Sequence, residues 1–113
     1  MARPRNTEER RRQIVDGLRL VMAENGYDGA SVQAVAKAAG LTAGLVHYHF
    51  QSKQEILIAL VRLLARNVRA RYERRAAHLT SARARLDAFI DAHVALDADA
   101  EPDAVRCWVI VGA

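Results

Sequence analysis

Two short helical segments separated by a single glycine constrain the fold of this chain more than any other feature. Ser31 and Thr42 each stand directly before a segment with a helical apolar repeat, where a hydroxyl group can cap a helix. Gly40 ends the first segment in the left-handed conformation that glycine adopts without strain. We therefore predict one helix over 32–39 and a second over about 43–50. Two short helices joined by a tight turn that contains glycine are the layout of a helix-turn-helix motif.

The sequence on either side of this motif predicts two longer helices. After the basic arm MARPRN, Thr7 is a candidate N-cap for a helix over 7–25, which Gly26 would end. Ser52 and Glu55 stand in the S-x-x-E register of a capping box. We expect this capping box to begin a long helix that ends near residue 77.

Beyond residue 77 the pattern predicts the beginning of a second unit. Thr80 or Ser81 can cap a helix whose apolar residues form one stripe, which we expect to face a core; the stripe consists of Leu86, Phe89, Ile90, His93 and Val94. The fold class is therefore predicted to be all-α. We expect a helix-turn-helix head at 1–60 and, over 61–113, the continuation of the linking helix and the start of a helical body. Because its apolar end has no cap, we expect this body to be truncated.

The charge of the chain is distributed unevenly. Residues 1–80 hold 14 Lys and Arg against 7 Asp and Glu, whereas residues 81–113 hold 3 against 6. A basic front half is typical of proteins that bind polyanions, and nucleic acid, a membrane surface and simple solubility all remain open on charge alone. The single Cys107 cannot form an internal disulfide, and no apolar run is long enough to cross a membrane, so we expect a cytoplasmic protein without a membrane partner.

The crowded stretch LVHYHF first raises the question of a metal site or an active site. His47 and His49 stand two residues apart on a predicted helix, so their side chains point about 200° apart and cannot hold one ion together. No serine, threonine or cysteine stands in a pattern that would supply a nucleophile with a base. We therefore expect no enzyme activity, no catalytic residue, no metal and no cofactor.

Helical periodicity divides the same stretch into two faces. Val46 and Phe50 share the side that faces the core, and His49 lies at its margin, whereas Gly44, His47 and Tyr48 share the opposite side. A helix face with a small residue at its beginning and polar or aromatic side chains beyond it suits insertion into a DNA major groove. The alternative is that His47 and Tyr48 are surface residues without a partner.

The sequence GLTAGLVHYHFQSKQEIL resembles the recognition-helix signature of the tetracycline-repressor (TetR) family, and the preceding QIVDGLRLVMAENGYDGASVQAVAKAAG is similar to the first two helices of that family. The positions that match the signature are Gly40, Leu41, Thr42, Gly44, Val46, His49, Phe50, Ser52, Lys53, Ile56 and Leu57. His47 departs from it, because the family most often has tyrosine there. The tryptophan-bearing VRCWVIVGA is faintly similar to the choline-responsive betaine-pathway repressor branch.

The resemblance implies a transcriptional regulator that binds a palindromic DNA operator as a homodimer and responds to a small-molecule effector, more often as a repressor. It implies DNA contacts through the recognition helix and its surroundings: Gln33, Thr42, Ala43, Gly44, Leu45, His47, Tyr48, His49 and Lys53. Arg3 and Arg5, in the basic arm, can follow a minor groove or the backbone. His93 and Trp108 are weak candidates for an effector site. A protein-interaction or dimerisation module with an incidental basic face remains the alternative function.

Overall fold

The computed structural model describes residues 2–94 and 101–112, with side chains from residue 6 onward. These residues form six α-helices and no strand: α1 (Ala2–Asn25), α2 (Val32–Ala39), α3 (Ala43–His49), α4 (Lys53–Ala76), α5 (Ala82–Val94) and α6 (Pro102–Gly112). The predicted all-α class is confirmed.

Local capping sets the ends of the helices in the head. The hydroxyl oxygens of Ser31, Thr42 and Ser52 accept the backbone N–H three residues ahead, at 3.0, 3.2 and 3.2 Å. Gly40 has φ 72° and closes α2. The Glu55 carboxylate accepts the N–H of Gln51 at 2.8 Å, one residue before the position expected of a capping box. The three predicted N-caps and the glycine turn are therefore confirmed.

The beginning of the first helix was predicted wrongly. The helix α1 starts at Ala2, so Thr7 lies inside it and is not an N-cap. Pro4 falls in the first turn, where the N–H that proline lacks would have no partner within the helix. The end of α1 at Asn25 agrees with the prediction.

The core of the head is built on α1. Its largest fully buried side chains come from α1, α2, α3 and α4 and include Ile14, Leu18, Met22, Val35, Val46, Ile56, Leu60 and Leu64. The helix α2 lies close to α1 at Gly17, where an added Cβ would stand 2.7 Å from the carbonyl oxygen of Val35. This packing fixes α2 and, through the short turn at Gly40, the position of α3.

The helix α6 also packs against α1. Ala104 and Cys107 are buried in the same core, and the Cys107 thiol lies 3.7 Å from the carbonyl oxygen of Arg19. Burial raises the pKa of the Cys107 thiol. Trp108 packs against this core, and its buried Nε1 has no hydrogen-bond partner among the described residues. Cys107 and Trp108 therefore belong to the contact between α6 and the head.

The apolar stripe of α5 does not face the core, which corrects the prediction. Leu86, Phe89, Ile90 and Val94 are about half exposed, at 55%, 49%, 50% and 48%, and His93 is exposed. The buried residues of α5 are Ala88 and Ala92. The small alanine side chains permit close approach to α4, because the distance between packed helices depends on the side chains at the contact.

Candidate nucleic-acid interface

The helix α3 presents the two faces that its periodicity predicted. Val46 and Phe50 are buried, with 1% and 3% of their surface exposed, whereas Gly44, His47 and Tyr48 are exposed. Tyr48 is 80% exposed, which is the largest exposure of any large hydrophobic side chain among the described residues. His49 is half-buried, and its ring contacts that of Tyr48 edge-on, with centroids 5.0 Å apart. The division into a buried and an outward face is confirmed.

The outward face of α3 is open at its N-terminal end. A Cβ added at Gly44 would meet no atom within 4 Å. Ala43 and Leu45 on either side are partly buried, and Thr42 is exposed with its hydroxyl oxygen engaged as the cap. A flat surface of this kind lets another molecule approach the helix backbone closely.

Arg11 of α1 holds the C-terminal end of α3. Its Nη1 donates to the carbonyl oxygen of His49 at 2.7 Å, and its guanidinium lies 4.1 Å from the centroid of the Phe50 ring. A cation at a helix C-terminus can donate to a carbonyl oxygen that has no partner within the helix. It also interacts favourably with the negative end of the helix dipole. Arg11 could not be identified from the sequence, because its acceptor lies 38 residues away and no local pattern marks it.

Removing the Arg11 side chain should loosen α3. We expect Arg11→Ala to lower the free energy of unfolding by about 1 kcal/mol, because an exposed, charged hydrogen bond and a cation–π contact are lost. Urea denaturation would measure the change. Arg12→Ala is the matched control, since this neighbour is also exposed but contacts neither His49 nor Phe50 by a described hydrogen bond or ring contact. Equal losses in both variants would show that Arg11 does not hold α3.

A cleft between the start of α1 and α3 extends the outward face. It measures about 380 Å³ and is lined by Asn6, Thr7, Arg10, Leu45, Tyr48 and His49. Arg10 therefore stands beside the outward face of α3, and its Nη1 donates to the side chain of Gln13 at 3.0 Å. The side chains of Arg3 and Arg5 lie outside the described residues.

Lys53, at the first position of α4, contacts the loop between α1 and α2. Its Nζ donates to the carbonyl oxygen of Tyr27 at 2.8 Å and lies 4.1 Å from the centroid of the Tyr27 ring. An ammonium group has three donors, so this bond leaves two N–H groups for other acceptors. The expected phosphate contact of Lys53 stays a prediction, and the lysine also joins α4 to the preceding loop.

The remaining predicted residues lie at different places. Gln33 is exposed on α2, whereas His93 lies on α5 and Trp108 on α6. His93 is exposed, with Nδ1 2.8 Å from the carbonyl oxygen of Phe89. The effector-site role expected of His93 and Trp108 stays a prediction.

Three further features of the described residues concern metal ions, exposed ion pairs and apolar helices. Residues 2–94 and 101–112 contain no group of three or more His, Cys, Asp or Glu side chains that could hold a metal ion. Arg69 on α4 pairs with Glu73 at 3.1 Å, and both side chains are largely exposed, as expected of a solvated helix face. No described helix is long and apolar enough to cross a membrane.

Comparison with known proteins adds independent information on the head. Residues 14–60 match the family described as bacterial regulatory proteins, tetR family. The HTH-type transcriptional repressor Rv1474c of Mycobacterium tuberculosis is 45% identical over 53 residues, which are 47% of this chain and 28% of that protein. The HTH-type transcriptional regulator BetI of Agrobacterium fabrum is 29% identical over 101 residues, which are 88% of this chain and 48% of that protein.

A solved structure shares most of the fold. The crystal structure of a protein described as a TetR-family transcriptional regulator from Rhodococcus sp. has a TM-score of 0.70 to this chain, with 28% sequence identity. The match covers 88% of this chain and 50% of that one. The chain thus spans half or less of the length of these three relatives.

Proposed function

We propose that this chain binds duplex DNA as the DNA-binding head of a transcriptional repressor. The premise is that the chain belongs, through residues 14–60, to the tetR family of bacterial regulatory proteins. The observation that carries the proposal is the outward face of α3, where Gly44, His47 and Tyr48 are exposed without a role in the core. Imidazole and phenol groups can donate to base edges or phosphates, and their rings can contact thymine methyl groups.

We propose the following mechanism. The helix α3 enters the major groove, while Arg10, Lys53 and the basic arm with Arg3 and Arg5 contact the phosphates that flank it. Two copies bind a palindromic operator, with half-sites about 34 to 36 Å apart. A small molecule bound in the body would change the separation of the two heads. Effector and DNA would then weaken each other's binding to the same extent.

The experiment that tests this function is selection of preferred duplexes from a random pool. An enriched palindrome supports both DNA reading and the dimer, and no enrichment over input contradicts the proposal. The salt dependence of binding to random duplex adds a second test. About six phosphate contacts give a slope near −5 in a plot of log affinity against log salt concentration.

Two substitutions on α3 separate DNA reading from folding. We expect Tyr48→Ala to lower discrimination between the selected duplex and mismatched duplexes by about 1 to 3 kcal/mol, because a contact with a base edge is lost.

Gly44→Ala should raise the free energy of unfolding by about 0.5 to 1 kcal/mol through helix propensity, yet weaken DNA binding by filling the flat surface. Fluorescence anisotropy with labelled duplexes and urea denaturation would measure both. An unchanged duplex preference of Tyr48→Ala contradicts the assigned face.

The second candidate is a protein-interaction module, which the exposed side of α5 favours. Leu86, Phe89, Ile90 and Val94 are each about half exposed on one helix, and exposed apolar patches mark interaction sites. Such a module would bind random duplex weakly and show little dependence on salt. The salt titration therefore discriminates the two functions.

A further inference from the structure

Arg71 on α4 is the one buried charged residue among those described, with 7% of its surface exposed. Its Nε donates to the carbonyl oxygen of Ala92 at 2.9 Å, in the last turn of α5. Its Nη1 donates to the Glu101 carboxylate, directly before α6. The guanidinium therefore joins the end of α5 to the beginning of α6, the two ends that flank residues 95–100.

Glu101 is shared between the helices α1 and α4. One carboxylate oxygen accepts from Arg71 of α4, and the other lies 3.6 Å from Nη1 of Arg19 on α1. Arg19 also pairs with Asp16 at 3.5 Å. The Cys107 thiol of α6 donates to the backbone carbonyl oxygen of Arg19 at 3.7 Å. A single carboxylate thus connects α6 with both α1 and α4.

The signs of the charges alternate along this cluster. The C-terminal end of α5 carries partial negative charge, Arg71 is positive, Glu101 is negative, and the N-terminal end of α6 carries partial positive charge. Arg71 and Glu101 therefore keep their partners only while the end of α5 and the beginning of α6 hold this arrangement. A buried guanidinium that loses its carboxylate is left with an uncompensated charge, so removing Glu101 is strongly unfavourable.

The helix α1 extends this connection to the recognition helix. Arg19 and Arg11 stand eight residues apart on α1, which corresponds to about 12 Å along the helix axis. Arg19 contacts Glu101 at one end, and Arg11 contacts the carbonyl oxygen of His49 at the other. The same helix therefore carries the contact to α6 and the contact to the end of α3.

We propose that Glu101 is a positioning residue that fixes α6 to α1 and α4, so that α1 is a second connection between the body and the recognition helix beside the continuous helix α4. The inference goes beyond the proposed DNA binding and does not depend on it. It states which contact holds the beginning of the body against the head, whatever the head binds.

The test is hydrogen exchange of the 113-residue chain, followed by mass spectrometry, with Glu101→Gln as the main variant. We expect amides of α6 and of α1 around Arg19 to exchange at least tenfold faster than in the parent chain, while α2 keeps its protection. Glu73→Gln is the matched control, because Glu73 pairs with Arg69 on the exposed side of α4. This control should leave exchange in α6 unchanged.

A second variant keeps the test decisive if Glu101→Gln does not fold. Arg19→Gln removes the contact between α1 and Glu101 and leaves the Arg71–Glu101 pair in place. We expect the exchange rate of α6 amides to rise at least threefold in this variant. Unchanged exchange in α6, in whichever of the two variants folds, overturns the proposal. So does an equal rise in all helices, because that would be a general loss of stability. Since no DNA is present, failure of the DNA proposal cannot be mistaken for either outcome.

Discussion

Replacement of Gly17 by valine is expected to lower the free energy of unfolding by about 3 kcal/mol, because overpacking a close helix contact costs about 1 to 3 kcal/mol or more. The backbone at this position leaves no room for a side chain. An added Cβ would stand 2.7 Å from the carbonyl oxygen of Val35 and 3.3 Å from the Cβ of Ala39. Since the nearest atom is backbone, α1 and α2 must move apart to admit the methyl groups.

Gly44→Val is the matched control for this substitution. Gly44 is also a helical glycine, but an added Cβ there would meet nothing within 4 Å. Helix propensity differs by only a few tenths of a kcal/mol between glycine and valine, so the stability should change by less than about 0.5 kcal/mol. Urea denaturation followed by circular dichroism would measure both variants. Similar stabilities would show that α2 does not need the close approach at Gly17.

Replacement of Leu60 by alanine is expected to lower the free energy of unfolding by about 2 to 5 kcal/mol, through lost apolar burial and the cavity left behind. Leu60 on α4 is fully buried in the core that joins α1 and α4. This loss is a large part of the roughly 5 to 15 kcal/mol that stabilises a typical domain. A fall of the thermal midpoint by several degrees should therefore accompany it.

Leu86→Ala provides the comparison on the surface of α5. Leu86 is 55% exposed, so the same change removes little burial and should cost less than about 1 kcal/mol. If Leu86→Ala proved as destabilising as Leu60→Ala, the apolar side of α5 would be packed in solution. Thermal unfolding over a range of protein concentrations would then show whether a second copy of the chain provides that packing.

The head could be predicted largely from the sequence, because the groups that define it are close together in the chain. The hydroxyl groups of Ser31 and Thr42 cap helices through the N–H groups three residues ahead. The buried and exposed sides of α3 follow from the 3.6-residue period alone once Val46 and Phe50 are recognised as core residues. The location of the candidate DNA-binding face was therefore available before any tertiary contact was known.

The orientation of α5 and the polar contacts between helices could not be predicted in this way. The stripe from Leu86 to Val94 satisfies a helical repeat as well as the core stripes do, yet the buried residues of α5 are Ala88 and Ala92, and Phe89 contacts α4 only through the edge of the Tyr72 ring while half exposed. A repeat reveals that a helix has an apolar side. It does not reveal whether a neighbouring helix lies on that side, because the neighbour is specified elsewhere in the chain.

The sequence by itself determined the helix-turn-helix, its caps and the outward position of Gly44, His47 and Tyr48, since each depends on contacts within one or two helical turns. Only the tertiary structure decided what holds these elements in place. Arg11 reaches α3 across 38 residues, Lys53 reaches Tyr27 across 26, and Arg71 reaches Glu101 across 30. Such pairs produce no periodic pattern in the sequence. A long, charged side chain forms a hydrogen bond with whichever acceptor the packing of the helices brings within its reach.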